Sequence, residues 1–214
     1  MSDADGTIIL CPLAFEAASL RRHHMGNRAT IITIGPGPDA MLAWLGTVDA
    51  KSVSRVILAG LAGALTSRCP PGSAWSVSRI IDEHGTMHRA PLGRDDVTLT
   101  TSNRVVASRE ARRAVADRDG ADLVDMEGAL FARHADAAGW RWAIVRGVSD
   151  GPARRTPRGM HRWTSAHGRT RVNRVIADLL CRPHDIPATI ALARSSGQAM
   201  RAAAGICREL IEDD

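Results

Sequence analysis

The sequence predicts an α/β fold: a single domain whose mostly parallel central sheet is flanked by helices on both faces. Three observations carry that expectation. Short apolar or β-branched runs alternate along the chain with stretches of helical spacing. Several runs, such as Thr7 to Leu10 (TIIL) and Trp142 to Val148 (WAIVRGV), are apolar almost throughout, as strands buried on both faces are. A chain of 214 residues with 44% hydrophobic content buries a full core, most simply as one domain.

The elements follow in order. Thr7 to Leu10 is a buried strand stopped by Pro12, and Phe15 to Arg22 has helical spacing, with Phe15, Ala18 and Leu20 apolar. Ala29 to Ile34 is a β-branched strand that runs into Gly35-Pro36-Gly37-Pro38, after which Asp39 can cap a helix through Leu45. Val56 to Leu58 begins another strand and leads into Ala59-Gly60-Leu61-Ala62-Gly63-Ala64. Trp75 to Ile81 alternates as a strand does, 82–96 is a polar loop or hairpin, and Val97 to Thr101 is a strand. Ser108 to Val115 is helical, Ala121 to Val124 a brief strand, and Glu127 to Ala138 a helix with Leu130, Phe131 and Ala135 on one face. After the strand Trp142 to Val148 come helices around Thr170 to Leu180 and Pro187 to Glu212.

Composition narrows the function classes. No apolar run approaches the ~20 residues of a membrane span, and the acidic start at Ser2, Asp3 and Asp5 lacks the form of a secretory signal. A cytoplasmic, unprocessed chain is the expectation. Cys11, Cys69, Cys181 and Cys207 are far apart and form no C-x-x-C pair, which gives no support to a metal site or disulfide framework. The net charge is +5, with Lys51 the only lysine. The arginines are spread along the chain without a nucleic-acid motif, so nucleic acid is not the expected partner. Arg154, Arg155, Arg158 and Arg162 form the one local cluster, which a solvated loop would explain.

In open α/β sheets ligands gather at the carboxyl ends of strands. Small or acidic residues stand at such ends here: Glu16, the Gly35 turn, the Gly60 to Gly63 stretch, Glu127 after Val124-Asp125-Met126, and Asp150. Gly35-Pro36-Gly37-Pro38 lacks the Gly-Lys-Ser/Thr ending of a Walker loop, and Gly60-Leu61-Ala62-Gly63 is not G-x-G-x-x-G, so ATP and NAD are set aside. Taken singly, each position has an ordinary structural explanation: Asp150 as a turn residue, Glu127 as a first-turn helix acid, Met126 as core.

Val124-Asp125-Met126-Glu127-Gly128-Ala129 followed by Ile144-Val145-Arg146-Gly147-Val148-Ser149-Asp150 resembles the paired signature of the nucleoside phosphorylase superfamily. Its nucleosidase branch, acting on methylthioadenosine and S-adenosylhomocysteine, carries V-x-M-E-x-x-A and then R-x-I-S-D at similar separation. Leu58 to Leu65 with Pro71-Gly72 resembles the family's glycine-rich segment and following turn, although Ser73 stands where the family has Asp. The segments Leu99 to Ala107 and Arg182 to Ala204 are similar to the hopanoid-associated branch, which implies adenosylhopane as a lipid-linked substrate.

The resemblance implies roles residue by residue. Asp150 resembles the general acid that protonates N7 of the leaving purine, a task that needs burial or neighbouring charge to keep a proton on the carboxyl. Glu127 resembles the acceptor of the ribose hydroxyls, and Met126 the side chain packed on the sugar. Glu16, ahead of Ala17-Ala18-Ser19-Leu20-Arg21, matches the carboxylate that directs attacking water. Gly35, Gly60, Ala62, Gly63 and Ser149 are expected to line the substrate site. Arg104 falls where the nucleosidases stack an aromatic residue on adenine, and a guanidinium plane can do the same. The phosphorylases' R-x-G-x-x-G arginine is replaced by Leu58-Ala59-Gly60, which favours water over phosphate, although Arg21, Arg22 or the Gly35 to Gly37 turn leave an anion site open. The five tryptophans, Trp44, Trp75, Trp140, Trp142 and Trp163, are either core residues or the wall of an apolar tail pocket. No metal or cofactor is implied, and a homodimer is. Hydrolysis of an adenine-type nucleoside modified at the 5′ end is therefore expected. Phosphorolysis, or a silent binding protein of the same fold, are the alternatives.

Overall fold

The computed structural model describes residues 6–23, 28–49, 53–152, 163–165 and 167–213; Lys51 and the cluster of Arg154, Arg155, Arg158 and Arg162 lie outside them. Strands are β1 (Thr7–Cys11), β2 (Thr30–Thr33), β3 (Arg55–Ala64), β4 (Ala74–Ile81), β5 (Met87–Arg89), β6 (Asp95–Thr101), β7 (Leu123–Asp125) and β8 (Arg141–Asp150). Helices are α1 (Ala14–Arg22), α2 (Pro38–Leu45), α3 (Arg109–Asp119), α4 (Gly128–Ala138), α5 (Val172–Cys181) and α6 (Ile186–Glu212).

The expectation of an open, mostly parallel sheet covered on both faces is overturned by the strand pairing. The sheet closes: β3 pairs β7, β7 pairs β6, β6 pairs β4, β4 pairs β8, and β8 returns to β3. Those five strands make a mixed barrel, with antiparallel seams at β3–β7 and β4–β8, while β1, β2 and β5 extend the sheet outside it. The cause lies in two long strands. β3 and β8 have ten residues each and pair over nearly their whole length, with a register shift at Ala62/Gly63. The twist accumulated along such strands, sharpened at a bulge, turns their ends towards new neighbours. β3 accordingly pairs β1 through Arg55 to Leu58 and β7 through Gly63 and Ala64. The glycine-rich segment after Leu58 is thus strand. Within 82–96 the hairpin arm is β5, antiparallel to β4.

Alternation along β3 and β8 feeds two apolar clusters. Val56, Leu58, Trp142 and Ile144 pack with Met41 of α2 and Phe131 of α4. Ile57, Ala59, Ala143 and Val145 pack with Leu20 of α1 and Met200 and Ala203 of α6. Arg146 follows Ile144 by two residues in β8, so a fully buried charge stands in an otherwise apolar row.

Candidate active site

Glu16, more than a hundred positions from the other two, lines one cavity of about 550 Å³ with Glu127 and Asp150. Each arrives from a different element. Glu16 sits in the first turn of α1, where its Oε2 accepts from the Leu13 N–H at 2.8 Å and so satisfies one of the amides a helix start leaves free. Its Oε1 accepts from the Leu61 N–H of β3, also at 2.8 Å. Glu127 stands at the N-cap of α4, and its Oε1 accepts from the Gly37 N–H at 2.6 Å. Asp150 ends β8, with Arg112 of α3 donating to Oδ2 and the Ser149 hydroxyl 2.5 Å from Oδ1.

Arg146 organises the electrostatics. Its Nε and Nη2 donate to Asp125 Oδ2, the first at 3.0 Å, and Nη2 lies 3.9 Å from Glu127 Oε2. Burial works against its charge, yet Asp125, Glu127 and Glu16 together hold it protonated. Its Nη1 is buried and has no hydrogen-bond partner among the described residues. A Cβ at residue 60 would lie 2.8 Å from that Nη1 and 3.1 Å from both Glu16 oxygens. Only glycine leaves that space, so Gly60→Ala is expected to cost about 1–3 kcal/mol of stability and to reduce turnover, checked by thermal melting alongside activity.

Burial lifts the Glu16 carboxyl to about 7, against the pull of its two backbone amides and Arg146. Glu127 is likewise pushed up to about 7, by burial first and the neighbouring Asp125 charge second, with Arg146 opposing. A carboxylate poised there exchanges protons readily at neutral pH. Asp150 meets a cation rather than an apolar wall. Its partner is the Arg112 guanidinium, which also donates to the carbonyls of Val106, Ala64 and Gly151 at 2.9, 3.2 and 3.0 Å.

The remaining expected site residues divide. Met126, Ala62, Gly63, Arg104 and Ser149 line the cavity, with Arg104 exposed at its edge. Gly35 and Gly60 do not: Gly35 (φ +98) shapes the turn that lets Gly37 (φ +89) present its amide to Glu127, while Pro36 reaches the cavity. Arg21 is engaged by the Ile31 carbonyl at 2.7 Å. Of the tryptophans, Trp163 lines the cavity; Trp44 meets Trp140, and Trp142 meets Phe131, edge-on at 6.0 and 5.8 Å. Sequence reading missed Arg112, Asp125 and Arg146. For Arg146 the signal was available, since an arginine inside WAIVRGV must be paired to be buried. For Arg112, one of several arginines on α3, nothing local distinguished it.

Known proteins give the same picture of the fold. The phosphorylase superfamily profile matches residues 81–181. Futalosine hydrolase of Helicobacter pylori superposes with a TM-score of 0.70 at 12% identity, over 99% of both chains. The 5′-methylthioadenosine/S-adenosylhomocysteine nucleosidase of the same organism, solved with butyl-thio-DADMe-Immucillin-A, gives 0.71 at 12% identity over 100% of both. The 5′-methylthioadenosine nucleosidase of Arabidopsis thaliana, in apo form, gives 0.67 at 12%, over 100% of this chain and 98% of that one. No curated protein matches the chain.

Proposed function

We propose that this chain, built on the nucleoside phosphorylase superfamily fold, hydrolyses the N-glycosidic bond of a purine nucleoside. The observation that carries the reading is the convergence of Glu16, Glu127 and Asp150 on one cavity. A water in the cavity gives its proton to Glu16 as its oxygen attacks the anomeric carbon. Glu127, fixed by the Gly37 amide, accepts from the ribose hydroxyls and stabilises the oxocarbenium charge that develops. Asp150 protonates the departing base, which requires the purine to take over an oxygen that Arg112 or Ser149 occupies in the structure. Met126 packs against the sugar, and Arg104 at the edge stacks on the base.

Water is favoured over phosphate because a phosphate dianion needs cationic donors in the cavity. The two arginines that line it among the described residues are Arg104, at its exposed edge, and Arg112, already shared among three carbonyls and Asp150. The lining also includes the apolar side chains of Pro12, Leu13, Phe15, Trp163 and Leu192, which suits an adenine-type nucleoside with an apolar 5′ substituent, adenosylhopane among them.

Incubation with 5′-modified adenine nucleosides, with and without phosphate, tests the reading through the sugar product. Free ribose-type sugar supports it; a sugar 1-phosphate that forms only with phosphate replaces hydrolysis by phosphorolysis. A panel that varies the 5′ end and includes a hopane-linked nucleoside tests the substituent. The pH profile is a second check. Glu16 must be ionised to take a proton and Glu127 to stabilise the oxocarbenium charge, so kcat is expected to rise with pH up to about 7. Below that value it falls by about tenfold per pH unit if one of the two carboxyls governs the rate and by about a hundredfold if both do.

A further inference from the structure

We infer that α5 rests on an anionic lipid bilayer, placing the mouth of the cavity beside the membrane surface. Of the eight large hydrophobic side chains exposed among the described residues, five fall between 172 and 190: Val172, Ile176, Leu180, Ile186 and Ile190. The first three recur every four residues along α5 and are 61, 53 and 78% exposed, so they form one ridge on one side of the helix. None of the ten residues of α5 is buried. A ten-residue helix is too short to hold itself in water on propensity alone, and the protein covers only the flank of Val175, Asp178 and Leu179.

Charge selects the occupant. The stretch 163–182 carries four arginines, Arg169, Arg171, Arg174 and Arg182, against a single acid, Asp178, which accepts from the Trp163 indole N–H at 2.7 Å. Three of the four arginines crowd the N-terminal end of α5, whose first turn holds no acid. Cations there oppose the helix's own dipole, and an external anion relieves the conflict. A bilayer with acidic headgroups offers both an anion for the arginines and an apolar layer for the ridge. A nucleic acid would leave the ridge in water. A second copy would bring the same arginine-rich segment to the interface from both sides.

At about 15 Å long, α5 can lie in the headgroup layer but not cross it; no helix among the described residues is long and apolar enough to span a membrane. The segment that leads into α5 belongs to the cavity: Trp163, Thr164, Ser165 and Thr170 line it, and the Trp163–Asp178 hydrogen bond ties that wall to the helix. Docking α5 therefore fixes where the cavity faces.

The test uses the full chain and sedimentation with vesicles of phosphatidylcholine, with or without phosphatidylglycerol. Wild type is expected to bind the phosphatidylglycerol vesicles and to lose binding as salt rises. Ile176→Asp with Leu180→Asp, and separately Arg171→Glu with Arg174→Glu, should each weaken binding by roughly tenfold or more. Because all four side chains are exposed, both variants should keep the wild-type melting temperature and turnover of a soluble nucleoside. Absence of wild-type binding to either vesicle, or an Ile176→Asp/Leu180→Asp variant that binds as wild type does, overturns the proposal. So does a wild-type dimer that this variant splits without any vesicle binding, which would assign the ridge to a second copy. Membrane binding without any base release would keep this proposal and remove the hydrolase reading, so the two fail separately.

Discussion

Glu16→Gln is expected to lower kcat by about 10²–10⁴-fold, with the chain still folded. The carboxyl is the group placed to take a proton from attacking water, and an amide cannot do so. Loss of activity through unfolding is separated from loss of chemistry by the pH dependence of stability. Glu16 and Glu127 stand near 7 in the folded chain against an ordinary 4.5, so between those values the folded state keeps protons that the unfolded chain has released. Stability then falls as pH rises from 4.5 to 7, and the cost of the buried charges is fully present above that window. Each carboxyl contributes at most about 3 kcal/mol to this slope. The glutamine variant should keep only the Glu127 share, seen as a shallower decline in denaturation midpoint over the same range. The absolute stability of the variant also includes an amide NH₂ set against the Leu13 or Leu61 N–H, a cost of about 1–3 kcal/mol. If the variant folds and releases base as fast as wild type, Glu16 is not the general base and the hydrolytic reading loses the group that activates water.

Arg146→Met should produce the largest loss of stability, about 3–5 kcal/mol in urea denaturation. Removing a fully buried guanidinium leaves Asp125, Glu127 and Glu16 without their shared cation. Asp125 has further duties that keep it in place: it accepts from the Gly128 N–H at 3.1 and 3.0 Å and from the Thr101 hydroxyl at 2.8 Å. Adding Asp125→Asn to Arg146→Met should therefore recover part of the stability and none of the activity, because the charge that favours ionised Glu16 and Glu127 is still gone. Full recovery of turnover in the double variant would show that Arg146 serves the fold alone.

Much of the site was legible along the chain. The VDMEGA and IVRGVSD segments brought Glu127, Met126, Ser149 and Asp150 forward, and the position of Glu16 ahead of an alanine-rich helical run brought the third carboxylate. Local signals sufficed there because each of these residues sits at a junction between elements, where turn and capping chemistry breaks the hydrophobic period. Gly35 and Gly60 were singled out for the ligand. The structure assigns them to shaping the Gly37 turn and to clearing space for Arg146, since a glycine's letter shows that backbone or space is needed but not for what.

Residue order and periodicity by themselves determined the alternation of strands and helices, the apolar rows of β3 and β8, and the carboxylates at strand ends. Only the tertiary structure decided that the sheet closes into a barrel, that Arg112 holds Asp150, and that Arg146 sits among three acids. The physical reason is common to all three. Apolar alternation records which face of a strand is buried, but closure depends on twist summed over two ten-residue strands and a register shift. An ion pair between positions 112 and 150 depends on where that closure places their elements.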